Sequence, residues 1–476
     1  MNIKHLIAIP LALSLFSAAQ AKVTLPSVIG DNMVLQQKTE AALWGKASPG
    51  RKVTVTTSWD GNKVSVQADP RTGSWLLKVP TPEAGGPYEI TISDGDKVTL
   101  RNVLVGEVWF ASGQSNMEMP VKGYPSQPAL GGTEAITNAK PSRQIRICNV
   151  IKRSSLSVQE DPQGAWELNS PDVVANTSAT AYFFADVLQE AIDVPVGIIV
   201  ASWGGSTIQA WMEHDLLKEK FPEVDLGSVE GSHPVRNEYT DACLLYNGMV
   251  APLAPYTIKG MIWYQGEANR EHPDQYVRLQ TEYVRMMRGL FQVPDAAFYY
   301  VQIAPWPYHD PDSFVSGYFY EGQQKCLETI PHSGMAVTCD IGEWGPIHPS
   351  HKREVGQRLA WLAMQHDYGF DSICADAPTY ESVEFKDGKA YVTFKVDDLM
   401  LAFLEKPFEG FEIAGEDRVF HKAEAKIDWD YYKRVIVQSP EVPEPVAVRY
   451  CFRNWCKGSL YNNYGIPAAP FRTDDW

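Results

Sequence analysis

The sequence predicts an α/β domain with a mostly parallel sheet, set between two β-rich regions. Three observations carry this reading. From about residue 103 to 370, apolar runs of strand length alternate with helix-like stretches, the pattern of parallel strands joined by crossover helices. On either side the chain is written as short strands broken by Asp-Gly and other Pro- and Gly-containing turns. Small and polar residues gather just past the central strands, in GQSN, SWGGS and QGEAN, where open parallel sheets place their sites.

At 476 residues the chain exceeds what one core sustains, and two or three domains are expected. Residues 1–21, MNIKHLIAIPLALSLFSAAQA, read as a secretory signal peptide. Lys4 is followed by an apolar run from Leu6 to Phe16, and Ala19-Gln20-Ala21 offers a cleavage site. Export follows as an expectation, to the periplasm, the extracellular space or a lysosomal-type compartment. Lys22 stands where a lipid anchor would need Cys, and no later stretch has the length of a transmembrane helix, so no membrane span is expected. The net charge of −16 argues against nucleic acid as a partner. With 14 Trp and 22 Tyr, aromatic rings are plentiful enough for a carbohydrate-facing surface as well as for ordinary packing. The seven Cys include near neighbours, Cys451 and Cys456, that are within reach of pairing, while Cys148, Cys243, Cys326 and Cys339 lie in apolar runs as buried thiols. No Cys/His cluster has zinc spacing.

Taken in order, residues 22–102 hold KVTVTTSW, VSVQAD, SWLLKV and GGPYEITISDG, the strands of a β-sandwich. In 103–370 the strand Gly106-Glu107-Val108-Trp109-Phe110 leads into a helix. VPVGIIVAS (194–202), YTIKGMIWYQG (256–266), AFYYVQIA (297–304) and GMAVTCD (334–340) follow, and KREVGQRLAWLAMQ is the last helix. Residues 371–476 return to strands in AYVTFKV, LAFLEK, FEIAG, RVIVQS and VAVRYCF.

The strand ends supply the parts for acyl transfer. Ser115 sits on a sharp turn from strand to helix, where backbone N–H groups and a helix N-terminus favour a developing oxyanion; a helix-capping Ser would be written the same way. The second strand end brings Gly204 and Gly205, the third Gln265, Gly266, Glu267 and Asn269, and the last Asp340 and His348. Gln114, Gln265, Glu267 and Arg270 flank the rim as substrate-contact candidates; the Arg270 guanidinium suits a sugar carboxylate, or an ion pair with Glu271 or Asp274.

The wording of these blocks resembles a known family. GQSNM (113–117), PVGIIVASWGGSTIQAWM (195–212), LYNGMVAPL (245–253), WYQGEANR (263–270), IHPSHKREVGQRLA (347–360) and SLYNNYGIPAAPFRT (459–473) are similar to sialate O-acetylesterases, members of the SGNH-type hydrolases with a three-layer α/β fold. The resemblance spans essentially the whole chain beyond the leader. It implies a serine esterase that needs no cofactor and removes O-acetyl groups from sialic acids. Related enzymes on other glycans, such as xylan or pectin, share the motifs, and an inactive carbohydrate-binding protein is the alternative from another class. By resemblance Ser115 is the nucleophile, His348 the base, and Ser115 N–H, Gly204 or Gly205 N–H and the Asn269 amide form the oxyanion hole. Many SGNH enzymes carry Asp three residues before the His, whereas this chain has Gly345. Asp340, Glu343 and Glu267 remain candidates for the third member, as does a dyad held by a backbone carbonyl near Gly345. Activity is expected to fall below the His348 pKa.

Overall fold

The computed structural model describes residues 23–396, 400–404 and 407–476; the leader read at 1–21 lies outside the described residues. The central domain is built on strands β1 (Lys97–Gly113), β2 (Ile145–Asn149), β3 (Trp166–Leu168), β4 (Val196–Ser202), β5 (Gly260–Tyr264), β6 (Ala297–Val301) and β7 (Ser333–Ala336). They lie in the order β7-β6-β5-β1-β4-β2-β3, all parallel except the β2–β3 edge pair. The helices that matter here are α1 (Ser115–Glu118), α2 (Ala179–Ile192), α3 (Pro273–Leu290), α4 (Val315–Thr329) and α5 (Lys352–Asp367).

Alternation along the strands makes the layers. Val108 and Phe110 of β1 join Ile199, Met261, Trp263, Phe298 and Tyr300 in a core closed by Tyr276, Leu279, Tyr283 and Met287 of α3. Trp109 and Ala111 face the other way, with Ile198, Val200, Ile262, Tyr264, Tyr299 and Val301, under Tyr182, Phe184 and Leu188 of α2 and Leu359, Leu362 and Ala363 of α5. Both faces of these strands are therefore apolar, as a covered parallel sheet requires. The result is the three-layer α/β architecture expected from the sequence.

β1 runs unbroken through residues 102 and 103. Its first half pairs with Gly85–Ser93, and Val34–Gln36 lies parallel to Leu104–Gly106, so the N-terminal β region and the catalytic sheet share one strand. In the same region Glu40–Lys46 pairs with Ser74–Pro80 as a separate ribbon. The C-terminal region contains two four-stranded antiparallel sheets, one around Lys389–Lys395 and one around Phe411–Ala414. The possible Cys451–Cys456 pair is not formed. None of the seven cysteines is in a disulfide and six are buried, with Cys451 in hydrogen-bond contact with both Cys339 and Cys456. Among the described residues no helix is long and apolar enough to cross a membrane.

Register sets the site. Ser202 of β4 and Tyr264 of β5 are both level with Gly113 of β1, so three loops leave the sheet at one height on either side of the central strand. The chain's crossovers change side at β1, the switch point where open α/β sheets bind ligands.

Candidate active site

Gly113 lets the Ser115 turn approach its neighbour. Its φ is +146°, and a Cβ there would lie 2.1 Å from the Tyr264 carbonyl oxygen. Gln114 follows in extended conformation, its N–H donating to that carbonyl, and Ser115 opens α1 half-buried. A residue in the first helical turn has no carbonyl within the helix to receive its N–H, so the Ser115 N–H is available beside its own hydroxyl.

His348 is half-buried on the loop before α5. Its Nδ1 lies 2.7 Å from Gln127 Oε1, and because an amide oxygen only accepts, Nδ1 carries the proton and Nε2 is the free lone pair. Gln127 is held by a tight turn: Tyr124 and Gln127 exchange both backbone hydrogen bonds, with Pro125 and Ser126 (φ +62°) in the type II pattern between them. Tyr124 joins the two ends of the site. Its hydroxyl donates to the Ser115 carbonyl at 3.3 Å, and its ring meets the His348 ring edge-on at 5.2 Å between centroids. Burial, and then the positive charge of Lys352, pull the His348 pKa down to about 4, while the negative charge of Glu118 opposes them.

None of the acids considered from the sequence reaches the imidazole. Both Asp340 oxygens bind Arg358, at 2.8 and 2.6 Å, and both side chains are only 7% exposed, so Asp340 serves a buried ion pair under α5. Glu343 accepts from the Ser350 N–H and hydroxyl and faces His351. Glu267 accepts from Asn116 Nδ2 at 2.6 Å. The Gly345 carbonyl accepts instead from Trp306 Nε1. The group on Nδ1 is thus a neutral amide, which fixes the tautomer and carries no charge to balance an imidazolium.

The two candidate glycines divide. The Gly204 N–H donates to Glu118 Oε2 at 2.5 Å, and a Cβ on Gly204 would be 3.4 Å from the Ser115 Cβ. Gly205, exposed and at φ +75°, leaves its N–H free of any backbone partner. Asn269 is held at the rim: its Oδ1 accepts from Gln265 Nε2 and the Ile208 N–H, and one of its two Nδ2 hydrogens goes to Gln209. The residues read as substrate contacts are likewise engaged by protein. Gln114 Oε1 accepts from Gln265 and from the Gly266 and Ala268 N–H groups, bracing the QGEAN loop against the Ser115 turn, and Gln265 is fully buried. Arg270 stacks 3.6 Å from the Tyr308 ring centroid and contacts Asn454 and Glu271.

Glu118, Tyr124, Gln127 and Lys352 were not singled out by sequence reasoning, and Asn116 entered it only as part of the GQSN strand end. Glu118 did carry a signal, since it lies three residues after Ser115 and so on the same helical face. At the rim Lys152 binds Glu118 Oε1 at 2.6 Å and stands 5.6 Å from the Trp203 ring centroid. Among the described residues no group of three or more His, Cys, Asp or Glu side chains is arranged to hold a metal ion.

Residues 105–365 match the family model for carbohydrate esterases described as sialic acid-specific acetylesterase. Sialate O-acetylesterases from Pongo abelii and Homo sapiens are each 28% identical over 79% of this chain and 77% of their own. The Mus musculus enzyme is 25% identical over 94% and 93%. A crystal structure of a carbohydrate acetylesterase from Xanthomonas citri covers 95% of this chain and 100% of that one, with 35% identity and a TM-score of 0.84. The matched residues include all the strand-end loops around Ser115 and His348, and the chain therefore belongs to the sialic acid-specific acetylesterase family of carbohydrate esterases and is a carboxylic ester hydrolase.

Proposed function

We propose that this protein is an exported serine esterase that removes O-acetyl groups from sialic acids through an acetyl-enzyme. The observation that carries the mechanism is the oriented imidazole: His348 presents Nε2 as a base because Gln127 holds the Nδ1 proton, on a loop joined through Tyr124 to the Ser115 turn.

In this mechanism His348 Nε2 takes the Ser115 hydroxyl proton as Oγ attacks the acetyl carbonyl carbon. The oxyanion is received by the N–H groups of Ser115 and Gly205, since that of Gly204 is taken by Glu118. The tetrahedral adduct collapses, and the imidazolium returns its proton to the departing sugar hydroxyl. Water, activated by the same nitrogen, then releases acetate and restores Ser115. At neutral pH the imidazole is in the base form needed for the first step, and the negative charge of Glu118 stabilises the imidazolium that follows.

An acidic sugar is favoured by the family likeness and by Lys152, a cation at the rim beside the Trp203 face. Lys152, 43% exposed and paired with Glu118 at the rim, is more open to a sugar carboxylate than Arg270, which is 12% exposed and stacked on Tyr308. A second reading keeps the chemistry on another acetylated glycan, and the X. citri neighbour, named only as a carbohydrate acetylesterase, supports it. Export rests on the apolar leader at residues 1–21. Acetate release from 9-O-acetyl sialic acid and from acetylated xylan, each with wild type and Ser115→Ala, tests the proposal. Rapid release from the sialic acid that Ser115→Ala abolishes is expected. Release from xylan alone overturns the substrate, and an active Ser115→Ala enzyme overturns the mechanism.

A further inference from the structure

The loop of His348 is gripped by a buried charged network that the acyl-transfer steps do not use. Lys352 is 0% exposed, and Asn116, next to Ser115 in the chain, is 1% exposed. Lys352 Nζ donates to Asn116 Oδ1 at 2.9 Å and to the Pro349 carbonyl at 2.6 Å. Asn116 Nδ2 donates to Glu267 Oε1 at 2.6 Å and to the Ile347 carbonyl at 3.2 Å. The carbonyls on both sides of His348 are therefore held from below by one amide and one ammonium, and the amide belongs to the nucleophile turn.

Stability alone does not explain this arrangement. An ammonium in the interior is costly, and apolar residues of similar volume often replace buried ion pairs without loss. Lys352 also stands at the first position of α5, the end where the helix dipole disfavours a cation. Glu267 meets Lys352 only through Asn116, and its Oε2 is buried with no hydrogen-bond partner among the described residues.

We propose that Lys352 and Asn116 are positioning residues: with Glu267 they clamp the peptide on both sides of His348 to the turn that carries Ser115. This rests on the Ser–His reading above. The clamp fixes the base relative to the nucleophile without touching substrate, so its loss lowers turnover while leaving substrate binding little changed. It also places a cation near the imidazole. The groups facing His348 are Lys352 from α5, Glu118 from α1, and Tyr124 and Gln127 from the tight turn. Glu343, on the loop before His348, is engaged by Ser350 and His351. Burial brings the Lys352 pKa down to about 7, so below neutrality the ammonium is charged and adds to the burial that lowers the imidazole pKa.

The test uses the full chain with Lys352→Met and Asn116→Asp, following kcat, KM and the pH profile of kcat/KM on a simple acetyl ester. Displacing the base by a fraction of its working geometry is expected to lower kcat about 10²-fold, with KM near that of wild type. In Lys352→Met the acid limb moves to higher pH, because the charge that depresses the imidazole is gone; a packing role would not move it. Asn116→Asp keeps the side-chain shape but turns the donor toward Glu267 and the Ile347 carbonyl into an acceptor, and it decides the question if Lys352→Met does not fold. A kcat within threefold of wild type, or an unmoved acid limb in a folded Lys352→Met enzyme, overturns the proposal. Ser115→Ala run beside them separates this failure from failure of the Ser–His reading: activity that survives in Ser115→Ala removes the reading itself.

Discussion

Replacing Gln127 with Glu puts a carboxylate where the structure has a neutral amide, 2.7 Å from His348 Nδ1. In the wild type, burial and Lys352 depress the imidazole to about 4, so the base form prevails above that pH. The acid limb of kcat/KM should therefore lie near pH 4, well below the ordinary histidine range. An opposite charge within hydrogen-bonding distance shifts a pKa by roughly 1–3 units. His348 is half-buried and solvent screens part of the field, so the lower half of that range applies. The acid limb of Gln127→Glu should rise by about 1–2 pH units, equivalent to about 1.4–2.7 kcal/mol of preference for the imidazolium. A stronger base and a better-stabilised imidazolium should also raise the plateau at pH 7–8. Initial rates of acetate release from pH 3.5 to 9 measure both effects, with Gln127→Ala as the companion that removes the acceptor and adds no charge. An acid limb that stays in place in Gln127→Glu, together with wild-type turnover in Gln127→Ala, would refute the assignment of Gln127 as the group that orients the base.

Two further outcomes follow. Gly205→Ala adds a Cβ 2.9 Å from Tyr239 Cε2 at φ +75°, so the loop must shift and move its N–H; kcat should fall roughly 10²–10³-fold. Gly231→Ala, at φ +77° with nothing within 4 Å of the added Cβ, carries similar backbone strain outside the site and should lose only stability; equal kcat losses in the two variants would remove Gly205 from the oxyanion hole. Asp340→Asn leaves Arg358 buried without its partner and should cost about 3–5 kcal/mol in denaturant unfolding, while the folded enzyme keeps its pH profile; a shifted acid limb would reinstate Asp340 as a partner of the base.

The parts of the fold that follow periodic rules were legible. Apolar runs separated by helical stretches give the strand order along the chain, and the loops after β1, β4 and β5 carry the small and polar residues that mark a rim. The long reach of β1 was not, because two sheets that share a strand leave no break in its pattern. The orienter of His348 was hidden for a different reason. Expecting an acid a few residues before the His assumes that the base and its partner share a loop. Here the partner comes from a turn 221 residues earlier, and a lone Gln beside Ser126 has no pattern that marks it. Lys352 carried a faint signal, a cation at a helix start directly after IHPSH, against the dipole.

The choice between Gly204 and Gly205 shows how far spacing alone can go. GG reads symmetrically, and either N–H suits an oxyanion. What separates them is Glu118, which shares a helical face with Ser115 because three residues make nearly one turn. A carboxylate on the helical face of Ser115 lies toward the loop after β4, and the N–H it binds there is that of Gly204. Binding Gly204 pins the loop and leaves the next N–H, on the exposed Gly205, as the donor not yet engaged by a backbone carbonyl. The same carboxylate supplies the negative charge that Gln127 lacks, and it stands beside the Ser115 Cβ because it is hydrogen-bonded to Gly204. One acid on α1 thus does two things that an acid beside the histidine would not: it pins the Gly204-Gly205 loop and opposes the field of Lys352 at the imidazole.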